Sequence, residues 1–420
     1  MSLKRQLTLK DGVSLALGSI MGSGLLFLPS LTAAVSGPNT AWVWIATTLL
    51  CFPLLYLFND MVVSVATESG IEGFVSLGLG ESIGASIPII FLGTVTIGMP
   101  ISALIVGEYV KNFLGGGELT QFITALSLVY TGILINFVGI KIGALVQLSI
   151  AFLTFLVGLF LYFLIPAQIP WHSSFSFSVA SAATFFPGII VAFWAYAGFE
   201  NLTFIACEFK NPAKDFKLSM IIALVLCGLL YLLLSLSCLS VIPREEINGM
   251  SGLYQLVETL GNHFLPTLII TLFAYFAVQI NFNSWIWGIS RLIYSSAKQR
   301  KLPLFFSELN NQQIPARAIL LLMILFTLAL IVLSCIQRHF ESIVTLVSTN
   351  FVFIYALCLS SYIRFKKNGF PRILAAGMLL LFTLLLFSSG WALLYPLVLF
   401  CSSVVFFNSQ IIHKQQHLKR

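Results

Sequence analysis

Charge is scarce in this chain. Asp, Glu, Lys and Arg make up 9% of its 420 residues, against about 25% in a soluble domain. With 58% of residues hydrophobic, that scarcity excludes an ordinary water-soluble fold and implies an all-α integral membrane protein, read as one polytopic domain over 1–420. A disulfide framework is also missing. The seven cysteines (Cys51, Cys207, Cys227, Cys238, Cys335, Cys358 and Cys401) are odd in number, lack a close-spaced pair and fall in or beside apolar runs. They read as small buried hydrophobes, with no metal site. The five histidines lie in loops, near helix ends or in the tail, which excludes an intramembrane histidine relay. There is no His-Glu-x-x-His helix, no intramembrane aspartate pair and no nucleophile beside the deepest carboxyl, so the chain reads as neither an enzyme nor a holder of cofactors. Repeated pore loops and rings of like charge, which a channel would want, are absent as well. Lys4 and Arg5 precede the first apolar run as in a signal peptide, but no small-residue cleavage site follows a short core. That run reads as a retained span.

What is abundant is apolar runs long enough to cross about 30 Å of hydrocarbon. Twelve are expected, at 12–35, 41–63, 87–113, 119–138, 143–165, 180–206, 217–241, 263–292, 314–336, 341–363, 371–388 and 390–408. An even count puts both termini on one side. Nineteen of the 22 basic residues then fall on the shared-terminus face, and only Lys111, Arg244 and Arg338 fall opposite. The positive-inside bias makes that face cytoplasmic in a bacterial inner membrane. The net charge of +7 follows from the same bias and needs no nucleic-acid partner. Residues 68–86 and 244–262 read as helices that do not span. The basic tail HKQQHLKR reads as an anchor at anionic lipid.

Two of the runs are broken by glycine in matching positions of the two halves. Gly18-Ser19-Ile20-Met21-Gly22-Ser23-Gly24 interrupts the first, and Phe193-Trp194-Ala195-Tyr196-Ala197-Gly198-Phe199-Glu200 interrupts the sixth. A helix-interior glycine costs roughly 1 kcal/mol against alanine, and hydrocarbon cannot satisfy the backbone groups that a break frees. Either glycine set alone fits close helix packing; as a pair they point to the substrate site of a secondary transporter. Glu200 is the ionisable residue set deepest in any run, and is either a proton-coupling or gating group or a cap for freed amides. Glu208 and Arg291 lie at the cytoplasmic ends of two runs, as an ion pair closing an inner gate or as solvated helix ends.

Glu208-Phe209-Lys210-Asn211-Pro212-Ala213-Lys214-Asp215-Phe216, Ser290-Arg291-Leu292-Ile293-Tyr294 and Lys301-Leu302-Pro303, with the glycine motif of span 1 and Tyr-Ala-Gly-Phe-Glu of span 6, resemble the amino acid–polyamine–organocation superfamily. The likeness covers about the first 365 residues and is nearest to the bacterial branch that exports neutral and hydrophobic amino acids. It implies two inverted five-helix repeats, 12–165 and 180–363, with broken helices 1 and 6, two further helices over 371–408, and alternating access around a midplane site. One departure is visible: where relatives often carry Pro-x-x-Gly-Gly, this chain has Glu68-Ser69-Gly70-Ile71-Glu72-Gly73.

A zwitterionic amino acid needs an anion receptor and a cation receptor side by side. Backbone N–H groups of Ser23, Gly24 and Leu25, near Ile20 and Gly22, can meet the carboxylate at the start of the second half-helix. Carbonyls near Phe193, Ala195 and Tyr196 can meet the ammonium, and Gly198 completes the substrate-binding candidates of this break. By resemblance the side-chain pocket draws on Phe193, Trp194 and Phe199, which suits apolar amino acids. Some proton-coupled relatives carry a lysine in mid-span 5 in place of sodium; here span 5 offers Gln147, Ser149 and Thr154, with Lys141 at its entrance. Asn281 and Ser284 of span 8, with Gln279 and Asn283, are the candidates for ligating sodium or bridging helices. The expected function is an exporter or exchanger of neutral, apolar amino acids, working as monomer or homodimer, with proton coupling through Glu200 possible. The alternatives are a proton- or sodium-coupled uptake permease and a cationic amino acid or polyamine antiporter.

Overall fold

Backbone in hydrocarbon has to satisfy its own hydrogen bonds, and short of a closed barrel only the helix does so. The computed structural model describes residues 5–22, 24–64, 70–138, 140–163, 182–249, 251–259, 261, 264–336 and 340–418, and among these it is helical almost throughout. In chain order the helices are α1 (Leu9–Ile20), α2 (Gly24–Ser36), α3 (Thr40–Ser64), α4 (Ile71–Leu79), α5 (Glu81–Gly84), α6 (Ser86–Leu114), α7 (Glu118–Val138), α8 (Ile140–Phe163) and α9 (Ala182–Trp194). There follow α10 (Lys217–Val241), α11 (Gly252–Thr259), α12 (Phe264–Lys298), α13 (Ala316–Cys335), α14 (Phe340–Phe365), α15 (Phe370–Ser388) and α16 (Leu394–Leu418). Nine segments among the described residues are long and apolar enough to cross a membrane. Ser23, Glu68, Ser69, His172, His263 and His339 lie outside the described residues, as do the side chains of Lys141, Gln147, Thr154 and Phe199.

The two glycine-marked runs are divided as their composition suggests. α1 stops at Ile20 with Met21 extended, and α2 restarts at Gly24. α9 stops at Trp194, a turn covers 195–198, and a 3-10 helix follows over Phe199–Glu208. The two segments expected not to span hold short helices: α4 and α5, and a 3-10 turn at Arg244–Glu246 followed by α11.

Large exposed side chains such as Leu380, Leu384 and Phe387 on α15 and Val398 and Val405 on α16 are apolar, as a lipid-facing rim requires. Inside, packing and interhelical hydrogen bonds replace the hydrophobic drive that lipid removes. Trp44 stacks on Tyr231 at 5.0 Å and donates its indole N–H to Ser235 Oγ at 2.7 Å, pinning α3 to α10. Of the cysteines, Cys51, Cys227, Cys238 and Cys358 are buried, whereas Cys335 and Cys401 are exposed; the apolar helix surface accepts a thiol on its outer face as readily as within.

α12 is 35 residues long, about 52 Å at 1.5 Å per residue, and so outreaches a hydrocarbon core. Its last turns carry Arg291 and Ser296 to one end of the bundle, where ionic contacts gather. Glu72 at the start of α4 is fully buried. It accepts from Lys301 Nζ at 2.6 Å and Ser296 Oγ at 2.8 Å, and burial pushes its carboxyl above the usual range even with Lys301 beside it. Asp60 pairs with Lys366 at 2.9 Å and accepts from Tyr362 at 2.6 Å.

Candidate functional site

A helix that stops inside a bundle leaves carbonyls at one end and amides at the other. At the end of α1, Asn281 Nδ2 donates to the Gly18 and Ser19 carbonyls at 2.9 and 3.0 Å. Ser284 Oγ donates to Leu15 O at 2.9 Å, and Tyr231 Oη to Ile20 O at 3.4 Å. Asn281 and Ser284 of α12 thus supply donors to the broken helix. On the other side of the break, the Leu25 amide bonds to the Gly22 carbonyl at 3.0 Å, which removes it from the set of free donors; Gly24 lines the cavity beside it.

The second break crosses the first at Gly198. Its φ of +127° lies where side chains are strained, and a Cβ there would stand 2.3 Å from the Ser19 carbonyl oxygen. Ser19 Oγ in turn donates to Gly198 O at 2.5 Å. Glu200 is fully buried and its Oε2 accepts from the Gly198 amide at 2.9 Å and from Tyr355 Oη at 2.5 Å. Its Oε1 has no partner among the described residues. Both roles expected of Glu200 keep a basis here: it caps a freed amide, and it has an oxygen left over.

The breaks border a cavity of about 80 Å³ whose lining includes Ile20, Gly22, Gly24, Trp194 and Ala195, named above as pocket candidates, and Asn281. The wall also includes residues that sequence reasoning passed over: Thr94, Gly98, Met99 and Ser102 of α6, Trp285 of α12, and Val347 and Phe351 of α14. Thr94, Gly98 and Ser102 recur every four residues, a small-residue stripe readable as a helix face, but it carries no charge or break to mark it. No charged side chain touches the cavity among the described residues.

Phe193, Tyr196 and Leu25 lie away from it. Consecutive residues point about 100° apart on a helix, so while Trp194 faces the cavity and Phe27 (5.0 Å), Phe193 turns to Phe382 and Tyr355 at 5.3 and 6.4 Å. There it lines a second cavity of about 300 Å³, which shares Trp194, Ala197 and Phe351 with the central one. The Tyr196 hydroxyl meets Thr48 Oγ1 at 2.5 Å, and the Phe193 carbonyl accepts from the Tyr196 amide at 3.1 Å. A third cavity, about 360 Å³ and bounded by Glu108, Tyr109, Asn248 and Ser251, shares Ile101 and Ile105 with the central one.

The opposite end holds a buried ion pair. Glu208 and Arg291, each 1% exposed, pair at 2.9 Å, and the guanidinium lies over the Trp287 ring at 3.4 Å. Solvated helix ends are thereby excluded for both. The N-terminal segment straps the same place: the Gln6 and Leu7 amides donate to Glu208 O at 2.8 and 2.9 Å, and Lys210 N to Leu7 O at 2.9 Å.

A family model described as amino acid permease matches residues 7–420. The uncharacterized amino acid permease YecA of Bacillus subtilis (strain 168) is 27% identical, over 99% of this chain and 98% of its own. The L-methionine/branched-chain amino acid exporter YjeH of Escherichia coli (strain K12) is 25% identical over 94% of each chain. The branched-chain amino acid permease BcaP of Bacillus subtilis (strain 168) is 24% identical over 74% of this chain and 70% of its own.

Proposed function

Because this chain belongs to the amino acid permease family, a family of multi-pass membrane transporters, we propose that it moves neutral, apolar amino acids by alternating access, as an exporter or exchanger. The observation that carries this reading is the uncharged cavity at the crossing of two broken helices. A charged substrate side chain there would be a buried ion without a partner, which is costly; this disfavours a cationic amino acid or polyamine antiporter. Sodium coupling is disfavoured as well, since Asn281 and Ser284 already occupy the α1 carbonyls with which a cation would pair. The relative named as a methionine and branched-chain exporter supports the substrate class and the direction.

The reading includes twelve spans, with α1 and α2 as halves of the first and α9 and the following 3-10 helix as halves of the sixth, in two inverted repeats over 12–165 and 180–363 and a pair over 371–408. With the positive-inside bias, both termini face the cytoplasm of a bacterial inner membrane. The Glu208–Arg291 end is then the closed cytoplasmic gate, and the cavity beside Glu108 is the outer approach.

Counterflow in proteoliposomes tests the function. Unlabelled leucine, isoleucine and methionine inside should drive uptake of labelled leucine, and should compete at least about tenfold better than arginine or glutamate, a preference of about 1.4 kcal/mol or more. Preferred exchange of arginine, or absence of trans-stimulation, overturns it.

Coupling is tested at Glu200. Glu200→Gln keeps an acceptor for Gly198 and Tyr355, so exchange of substrate for substrate should survive. If Glu200 carries a proton across, the variant should lose accumulation driven by an imposed pH gradient. An unchanged response to the gradient makes Glu200 a structural cap.

A further inference from the structure

Asn281 is 6% exposed at the wall of the central cavity. Its amide nitrogen carries two donors, and both are spent on the Gly18 and Ser19 carbonyls. That fixes which way the amide faces, because the flipped arrangement would set Oδ1 against two carbonyl oxygens. What remains is Oδ1. Among the described residues its hydrogen bonds are those two alone, neither of them to Oδ1, and the side chain borders the cavity. Gly22 makes the approach possible: a Cβ there would sit 2.9, 3.0 and 3.1 Å from Cγ, Nδ2 and Oδ1 of Asn281. An acceptor on the wall of an uncharged cavity favours a ligand that brings a donor to it. The zwitterion's ammonium supplies three N–H donors, whereas its carboxylate would be repelled.

We infer that Asn281 determines specificity for the amino group: its Oδ1 accepts a hydrogen bond from the substrate α-ammonium, with the broken helix α1 holding the amide in place. The inference rests on the reading of this chain as an amino acid transporter. It also joins two features that look separate. The same side chain that satisfies the carbonyls left by the break is oriented by them toward the ligand, so rewinding the break would release the contact.

The test is competition for labelled leucine binding by leucine and by 4-methylpentanoate, which has the same side chain and carboxylate but no amino group. A hydrogen bond to a charged group is worth about ten- to hundredfold in affinity. Asn281→Ala should weaken leucine by about that factor and leave 4-methylpentanoate nearly unchanged, so their ratio collapses. Asn281→Gln, which keeps both the amide donors and an acceptor oxygen, should preserve more of the ratio than Asn281→Ala. A purely structural role shifts both ligands together in N281A, and that result overturns the inference. Should N281A fail to fold, Gly22→Ala, which crowds the amide off its position, must produce the same selective loss; parallel weakening there is equally fatal. Wild-type protein that binds no neutral amino acid sinks the transport reading itself, whereas wild-type that binds leucine with an unaltered ratio in the variants sinks only the role of Asn281.

Discussion

Gly198→Ala should abolish leucine exchange and lower thermal stability markedly, while Gly80→Ala should do little to exchange. Both glycines have positive φ, +127° and +99°, so both substitutions incur backbone strain of about 1–3 kcal/mol. They differ in their surroundings. A Cβ at Gly80 meets nothing within 4 Å, whereas one at Gly198 falls 2.3 Å from the Ser19 carbonyl oxygen. That atom is backbone and cannot swing aside, so the two broken segments must part, adding about 1–3 kcal/mol of overpacking and displacing the cavity wall on both sides. Counterflow and melting in detergent, run on both variants, separate strain from collision. Exchange at wild-type rates in Gly198→Ala would mean that the crossing of the breaks is not part of the transport site.

Arg291→Ala should be the most destabilising single change at the closed end, by about 3–5 kcal/mol, because it strands the buried Glu208 carboxylate. The paired variant Glu208→Gln with Arg291→Met should recover most of that stability, since a buried ion pair often contributes little over apolar replacements. It should not recover closure. Cys207, adjacent to Glu208 and half-buried, should react faster with a permeant thiol reagent in the paired variant, in a background where Cys335 and Cys401 are serine. Arg291→Lys should fall between, since lysine keeps the charge but loses the planar stacking on Trp287. Unaltered Cys207 reactivity in the paired variant would show that the ion pair does not hold this end shut.

The helices and their interruptions were legible because the signals are local: apolar length, and glycines where hydrocarbon would not tolerate idle ones. Glu208 and Arg291 were legible as a possible pair because each is a lone charge at the end of a run. The wall from α6 was not, since Thr94, Gly98 and Ser102 look like any small residues in an apolar helix until its rotation about its own axis is known. The same ignorance of rotation made Phe193 and Trp194 equivalent in sequence, though only Trp194 reaches the cavity. Glu72 was hidden for a different reason. Its partner Lys301 is 229 positions away, and nothing in either neighbourhood announces the other. The stretch around it departs from the Pro-x-x-Gly-Gly pattern of relatives, and Gly70, one of its two glycines, sits at φ +51° beside the Thr203 carbonyl.

The stretch from Phe199 to Glu208 is ten residues of 3-10 helix, far beyond the three or four at which such helices usually end. A 3-10 helix rises about 2.0 Å per residue and an α-helix about 1.5 Å, so these ten residues are overextended by about 5 Å. Rewound as α, the segment would shorten by nearly one helical pitch. Gly198 is tethered to Ser19 at one end, and Glu208 is tied to Arg291 and to the N-terminal strap at the other. Rewinding the segment as α therefore requires one of its two anchors to let go.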